Sequence, residues 1–281
     1  NYLNQPYGDI FLLLRPLCYT IHPYRWCTIG KELSHIEKVD LDIANNFFYN
    51  YYAPNNAILV LSGNFDSKDI KRKVAKWFGR IPFRNIKSRN YMPEPISIER
   101  KHLQVKRNVP SNCIVMAFHM SDRVSSSFYS ANIISRILSK GVNSRLYQNL
   151  VIKEKICNKI DAFLGEDLEP SLFYIKAFLN EGVDYLLAEK KIKKELDLLC
   201  TKFVSDSELS AALKKNESTI LFSYIDNSYK AIDLAVGELL GDIDFINKQI
   251  PIYNSIKASQ IMRDSINMFD PKNCTSLYYG K

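Results

Sequence analysis

Several features that would define a membrane, nucleotide-binding or serine-hydrolase protein are missing from this sequence. It has no apolar run of about 18 or more residues, so no segment is predicted to span a membrane. Its opening, NYLNQPYGDI, has neither a basic n-region nor a small-residue cleavage site, and is not a signal peptide. It contains no G-x-x-x-x-G-K-[ST] phosphate loop and no G-x-S-x-G nucleophile elbow. Nucleotide and serine hydrolysis of the usual kinds are therefore not indicated.

Histidine is scarce and widely spaced. The chain has four, His22, His35, His102 and His119. A helical zinc site needs two rings one turn apart on the same face, and no pair here has that spacing. An improvised site of His22, His35 and Glu37 is the alternative that the sequence leaves open. We expect each histidine instead to be a hydrogen-bonded structural residue, and we predict no catalytic residue and no metal ligand in this chain.

The cysteines form neither a redox motif nor a compact disulfide framework. There are six, without any C-x-x-C pair, and most have apolar neighbours: Cys18, Cys27, Cys113, Cys157, Cys200 and Cys274. This pattern predicts buried small hydrophobic residues in a reducing setting, although a disulfide stays open.

The positive net charge of +8 does not by itself indicate nucleic acid. Lysine and arginine are spread over many segments. The densest runs, KDIKRKVAKW and EKKIKKEL, have the spacing of solvated faces of amphipathic helices. We predict no nucleic-acid partner, and a basic module for acidic surfaces remains the minor alternative.

Two halves are joined by a polar, proline-bearing connector, which predicts a first domain at 1–81, a linker at 82–98 and a second domain at 99–281. In the first half, Asp40 and Asp66 are positioned to cap helices. The first of these has an apolar stripe of Ile43, Ala44, Phe47, Phe48 and Tyr51. An Ala-Pro-Asn-Asn turn follows, and the apolar run Ala57–Ser62 predicts a buried strand.

The second half alternates predicted strands and helices. Strands are expected at 102–105, 113–118, 159–164, 172–179 and 275–279, and helices at 127–138, 144–155, 184–200, from 205 onward and at 255–268. Ser205 and Glu208 have the spacing of a capping box. Grouped strands and runs of helices predict an α+β fold, with helices packed on one face of a mainly antiparallel sheet.

The two halves end alike. Each has a helix, a Pro-Asn turn and an apolar strand, YYAPNNAILVLSG in the first and NMFDPKNCTSLYYG in the second. This indicates internal duplication, with a complete second copy and only the back half of a first. We therefore interpret the amino terminus as a truncation, and expect an uncovered sheet edge and apolar helix face that favour aggregation or dimerisation.

The chain resembles the M16 zinc metallopeptidases, the family of pitrilysin, insulinase and the mitochondrial processing peptidase. The resemblance covers nearly the whole chain through short motifs in family order: Pro6-Tyr-Gly, His22-Pro-Tyr-Arg-Trp, Tyr51-Tyr-Ala-Pro-Asn-Asn-Ala, Gly63-Asn-Phe-Asp, Trp77-Phe-Gly-x-Ile-Pro, Glu94-Pro, Gly141-Val-Asn-Ser-Arg-Leu-Tyr, Glu169-Pro-Ser-Leu-Phe and Val204-Ser-Asp-Ser-Glu-Leu. It implies a zinc endopeptidase fold in which two homologous halves enclose a chamber. The family's His-x-x-Glu-His motif and its distal glutamate ligand are expected upstream of Asn1.

The resemblance also implies where peptide-binding residues would lie. Many second domains of the family carry an arginine and, seven residues later, a tyrosine; the matching positions here are Val151 and Asn158. Neither side chain can perform that role, so no substrate-binding residue is predicted. As implied by the resemblance, this departure is typical of the metal-bearing subunit type. Arg145 and Tyr147 are expected to have a structural role at a helix start.

The resulting hypothesis is the carboxy-terminal portion of an M16 zinc metalloendopeptidase, inactive on its own. It would hold no cofactor, although zinc is expected for the full-length family. The alternative is a non-catalytic scaffold subunit of a two-chain protease. Either reading implies a homologous M16 subunit or a second copy as partner, with peptide bound only in its company. The sequence leaves the compartment open, cytoplasm or cell envelope. The carboxylate pairs Glu166/Asp167 and Asp242/Asp244 are expected to cap turns rather than to catalyse.

Overall fold

The computed structural model describes residues 4–30, 32–86, 90–165 and 167–281. Its α-helices are α1 (Ile10–Cys18), α2 (Leu33–Glu37), α3 (Leu41–Tyr51), α4 (Ser67–Phe78), α5 (Ser126–Ser139), α6 (Tyr185–Thr201), α7 (Asp206–Ser223), α8 (Asn227–Leu239), α9 (Phe245–Asn254) and α10 (Ala258–Met268). Its strands are β1 (Lys101–Lys106), β2 (Cys113–His119), β3 (Cys157–Leu164), β4 (Leu172–Leu179) and β5 (Cys274–Gly280).

The chain divides into two compact units. The first consists of Asn1–Cys27, Met92–Ser218 and Pro251–Lys281, and the second of Thr28–Tyr91 and Thr219–Ile250. This division by contacts differs from the predicted domains because residues 4–27 pack with the second half of the sequence. The predicted boundaries at 81 and 99 stay a prediction about homology.

The first unit is built on one mixed sheet in the order β1-β5-β2-β4-β3. β1 runs parallel to β5, and the other neighbouring pairs are antiparallel. The central strand β2 is buried on both faces, with Val115 and Ala117 in one core and Phe118 against Phe269 on the opposite side. The predicted α+β class and mainly antiparallel sheet are confirmed, and α5, α6 and α10 pack together over one face.

A helix from the start of the chain covers the other face. The sequence has a helix-like stretch at Asp9–Leu14, but its packing on this sheet was not predicted. α1 buries Ile10, Leu14 and Cys18, spaced one helical turn apart, against the apolar side chains of β2, β4 and β5. Asp9, just before α1, accepts hydrogen bonds from Arg107 and from the Tyr279 hydroxyl. Both faces of the sheet are therefore sealed, which explains the unbroken apolar runs of its central strands.

In the second unit the predicted helices form as expected. The Asp40 carboxylate accepts from the backbone N–H of Ile43 at 2.8 Å, and Asp66 accepts from those of Lys68 and Asp69. These contacts confirm the predicted caps of α3 and α4. Among the described residues of this unit, only Ala53 and Gly237 are buried.

The predicted buried strand Ala57–Ser62 is wrong for this chain. The segment has no ladder partner among the described residues and is not a strand. Ile58, Leu59 and Leu61 are 41%, 55% and 43% exposed. A strand needs a neighbour for its N–H and C=O groups, and an apolar run alone does not supply one.

Three helices and one local geometry were also not predicted from the sequence. α2 lies where no helix was predicted, and α8 and α9 fill a later stretch for which no helix was predicted. Pro251 lies inside α9, where proline usually signals a helix end. The helix predicted at 144–155 is a π-helix over Tyr147–Lys153. No helix of the described residues is both long and apolar enough to cross a membrane.

Candidate functional site

His22, in the motif that best carries the family resemblance, is a buried anchor. It caps the 3-10 turn Pro23–Arg25 through Nδ1, which accepts from the backbone N–H of Tyr24 at 3.2 Å. Its Nε2 lies 2.7 Å from the carboxylate of Glu169. Because Nδ1 is the acceptor, Nε2 carries the proton and donates it to Glu169. The rings of Tyr24 and Tyr19 contact the imidazole at centroid distances of 4.3 and 5.9 Å.

Glu94 binds the backbone that leads into this turn. Its carboxylate accepts from the N–H groups of Thr20, Ile21 and His22 at 2.6, 3.0 and 2.9 Å, and from the Thr20 hydroxyl. Burial by itself would raise the pKa of Glu94, but these hydrogen bonds outweigh it and lower the pKa to about 2. Glu94 therefore ties the chain after the connector to the turn that holds His22.

The histidines do not fit a zinc site. Both ring nitrogens of His22 are engaged, and Nε2 of His119 is 3.0 Å from the carbonyl oxygen of Cys18. Burial lowers the pKa of His119 and of His102, and the His102 ring lies against Tyr278. The residues that the structure describes contain no group of three or more His, Cys, Asp or Glu able to hold a metal ion. That His22, His35 and Glu37 form no improvised metal site stays a prediction.

The positions matched to the family's arginine and tyrosine lie at irregular backbone. Val151 is half-buried in the π-helix, and Asn158 is exposed at the β-bulge where the β3–β4 register shifts between Cys157 and Lys159. Bulges and π-turns re-aim side chains and are frequent near functional sites. Both positions thus lie at irregular backbone, and their side chains are an isopropyl group and a carboxamide. That no substrate is bound through these two side chains stays a prediction.

Arg145 has the structural role expected of it. Its guanidinium makes a bidentate pair with Glu208, Nε to Oε1 at 2.7 Å and Nη2 to Oε2 at 2.6 Å. The Ser144 hydroxyl donates to the carbonyl of Gly141 and closes the preceding turn. The Glu208 N–H donates to the Ser205 hydroxyl at 3.2 Å, which is the predicted cap contact, but the Glu208 carboxylate accepts from Arg145. The motif from Gly141 to Tyr147 is thus fixed to the start of α7.

Of the two carboxylate pairs, the second has the expected turn contact, whereas Asp167 of the first has side-chain partners. Asp167 accepts from Arg15 and from the Ser171 hydroxyl, while Glu166 lies outside the described residues. Asp242 accepts from Lys248 and from the backbone N–H of Asp244. The Lys248 ammonium lowers the pKa of Asp242, which suits an ion pair and not a general acid.

The cysteines are free thiols, as expected for small hydrophobic residues. Four are buried: Cys18, Cys113, Cys157 and Cys274. Burial raises the pKa of Cys18, Cys113 and Cys157 to about 12, so the thiolate that a nucleophile requires is disfavoured.

A buried polar cluster surrounds Glu189 and was not predicted from the sequence. This carboxylate accepts from Arg100 at 2.5 Å, from the Ser276 hydroxyl at 3.2 Å and from the Tyr278 hydroxyl. Lys193, one turn further along α6, adds an ion pair at 3.0 Å. Glu189 occupies a position on the buried stripe of α6, and a charged residue at that spacing was the available signal. The cluster fixes β1 and β5 to α6.

This chain belongs to the M16 peptidase family, because residues 38–216 match the model of the peptidase M16 inactive domain. It is 24% identical over 284 residues to the zinc protease PqqE of Helicobacter pylori, covering 98% of this chain. The chain spans 62% of the length of that relative.

Solved structures agree with this fold. A protease from Helicobacter pylori superposes with a TM-score of 0.92 at 20% identity, over 99% of this chain and 67% of that one. A peptidase M16 inactive domain from Pseudomonas fluorescens gives 0.84 at 15% identity, over 99% and 66%. The first half of the periplasmic protease PqqL from Escherichia coli gives 0.78 at 12% identity, over 99% and 62%.

Proposed function

We propose that this chain is the non-catalytic, carboxy-terminal part of an M16 zinc metalloendopeptidase and acts in peptide hydrolysis only together with a zinc-bearing M16 domain. The observation that carries the proposal is the match of residues 38–216 to the M16 inactive domain. The relationship to a zinc protease supplies the reaction class. The engaged nitrogens of His22 and His119 are the reason that the metal is assigned to the partner domain and not to this chain.

In this proposal the chain helps to bind and enclose the peptide substrate, and the zinc-bearing domain polarises the peptide bond. The second unit supports a shared assembly, because large apolar side chains such as Phe47, Trp77 and Phe83 are 56%, 71% and 79% exposed. Exposed apolar area of this kind marks a protein interaction surface. The zinc-bearing domain can belong to the same polypeptide or to a second M16 chain.

The test is metal analysis of the purified chain together with cleavage of a quenched fluorescent peptide. We expect zinc well below one equivalent and no chelator-sensitive cleavage. Cleavage should appear when an M16 polypeptide with the His-x-x-Glu-His motif, from the same genome, is co-expressed with it. A partner in which the motif's glutamate is replaced by glutamine is the control for that activity. Stoichiometric zinc with chelator-sensitive cleavage by the chain alone would overturn the proposal.

The same co-expression distinguishes the scaffold alternative. If a natural zinc-bearing M16 chain, complete in its own first domain, co-purifies with this one at equal stoichiometry, the two-chain arrangement is correct. If activity requires only the motif-bearing segment of a first domain, the chain is the back part of a single peptidase.

A further inference from the structure

The structure contains an internal repeat whose two copies have very different surroundings. α3 (Leu41–Tyr51) and α10 (Ala258–Met268) both have 11 residues. Two residues later, each is followed by a 3-10 turn, Pro54–Asn56 in the first copy and Pro271–Asn273 in the second. The helix and the turn of the first copy therefore correspond residue by residue to those of the second.

Local contacts repeat as well. The Asn56 side-chain amide donates to the carbonyl of Tyr51 at 2.7 Å, and that of Asn273 donates to the carbonyl of Met268 at 2.8 Å. Seven residues beyond each asparagine the backbone has a positive φ that favours glycine, 150° at Gly63 and 157° at Gly280. The local geometry on both sides of residues 57–62 therefore matches the geometry on both sides of the corresponding residues 274–279.

In the second copy the corresponding residues form β5, which is paired on both edges. β5 pairs parallel with β1 on one edge and antiparallel with β2 on the other. Asn273 locks the register, since its amide donates to the carbonyl of His119 at 2.8 Å and accepts from the N–H of His119 at 3.1 Å. His119 is the last residue of β2. α10 packs on α5 and α6 through Ile261, Asp264, Ser265 and Met268.

In the first copy the matching positions are more exposed to solvent. The counterparts of the buried face of α10 are Ala44, Phe47, Phe48 and Tyr51, which form the predicted stripe of α3. Phe47 and Phe48 are 56% and 49% exposed. Leu59, at 55%, matches Ser276, which is fully buried. Apolar side chains stand in solvent where their counterparts form a core.

We propose that residues 57–62 are a docking strand with two open edges, and that α3 beside it is a docking helix. The occupant is a strand–strand–helix segment of the zinc-bearing part of an M16 domain. Its first strand pairs parallel with 57–62 and its second antiparallel. The last residue of that second strand exchanges backbone hydrogen bonds with the Asn56 amide, and its helix covers Ala44, Phe47 and Phe48. This inference rests on the proposed function and specifies the surface that the function uses.

The experiment is hydrogen exchange at single-residue resolution, on this chain alone and in complex with the co-expressed His-x-x-Glu-His polypeptide. Because both edges are used, the consecutive amides from Ile58 to Ser62 should all slow by at least about 100-fold in the complex. Amides of β5 should be slow in both samples. Pairing on one edge would protect alternate amides only, because successive N–H groups of a strand point to opposite edges.

Substitutions separate the docking surface from general apolar exposure. Phe47→Asp and Leu59→Asp should each weaken the complex by about 10-fold or more, which corresponds to at least 1.4 kcal/mol. Asn56→Ala should shift the exchange pattern of 57–62 and weaken binding less. Leu41→Asp, on the same helix but outside the repeated buried face, and Ile96→Asp, in the first unit, are the matched controls; both residues are highly exposed and both variants should bind as the parent does.

The outcomes are distinguishable. Complex formation with unchanged or alternating exchange at 57–62 overturns this inference and leaves the proposed function standing. Protection that appears in the chain alone as its concentration rises identifies a second copy as the occupant, and also overturns it. Failure of the zinc-bearing polypeptide to bind at all overturns both proposals.

Discussion

At the scale of single residues, buried or multiply bonded carboxylates hold the first unit together. Glu94 collects three backbone N–H groups at the turn before His22, and Glu189 joins β1 and β5 to α6. Neither residue belongs to a catalytic constellation. Their effects should therefore appear in stability and its pH dependence.

The low pKa of Glu94 predicts that part of the stability of the chain is lost in acid. Its folded pKa of about 2 lies below its ordinary value of 4.5, so its contribution is complete above about pH 4.5 and is lost as the pH falls towards 2. Glu94→Gln should lower the melting temperature at pH 6, and the difference from the parent should shrink steadily between pH 4.5 and pH 2. Thermal unfolding followed by circular dichroism across that range measures it. A difference that stays constant down to pH 2 would show that the charge is not involved.

The buried contacts of Glu189 with Arg100 and Tyr278 predict a loss of stability when the carboxylate is removed. Glu189→Ala leaves the Tyr278 hydroxyl and the Arg100 guanidinium without their acceptor, which should cost about 2–4 kcal/mol of unfolding free energy. Urea unfolding gives the value. Glu181→Ala, at an exposed glutamate just before α6, is the control and should change stability by less than about 0.5 kcal/mol. An equal loss in both variants would contradict this account of the cluster.

At the scale of elements, the helices with an aspartate cap were predictable from local sequence. Asp40 and Asp66 each cap the helix that the sequence assigned to them, because an N-cap is a local interaction between a side chain and the next turn. The strands of the first unit were predictable from apolar runs that find partners. The same kind of run at Ala57–Ser62 failed because a strand is defined by its neighbour, and that is not local information.

Part of the candidate site was predictable from the sequence. The histidines were expected to be hydrogen-bonded structural residues, and His22 and His119 have such contacts. The π-helix around Val151 and the bulge at Asn158 were not predicted from the sequence, and the bulge depends on the register of β3 against β4. The Glu189 cluster was missed because its partners are distant in sequence.

The repeat supplies a matched pair of element-scale variants. Asn273→Ala removes contacts to both backbone groups of His119, and should destabilise the chain by about 1–3 kcal/mol. Asn56→Ala removes one exposed bond to Tyr51 and should cost less than about 0.5 kcal/mol in the chain alone. Denaturant unfolding of the two variants side by side tests this, and comparable losses would mean that the copies are not in different surroundings.

At the scale of the whole molecule, stability should be distributed unevenly. The first unit has a sheet sealed on both faces, whereas the described part of the second buries only Ala53 and Gly237. Local opening is easiest where few apolar contacts are buried.

Limited chymotrypsin digestion should therefore cut first within 28–91 or 219–250, and leave the sheet of the first unit intact for longer. Mass spectrometry of timed samples identifies the early sites. In the complex with a zinc-bearing M16 polypeptide, the early cuts within 41–62 should slow relative to those in α8. Early cleavage within β2 or β4 would contradict this order of stability.

The packing of α1 has a practical consequence for anyone who dissects the chain. The predicted linker at 82–98 looks like the natural place to cut, yet α1 is the lid over Val115, Ala117 and Leu277. A fragment that starts at residue 99 would carry its sheet with one face open to water, and should self-associate during purification. A soluble fragment needs residues 4–27 joined back to it, for example through a short linker to residue 92. The helix from the start of the sequence then covers the sheet that the end of the sequence completes.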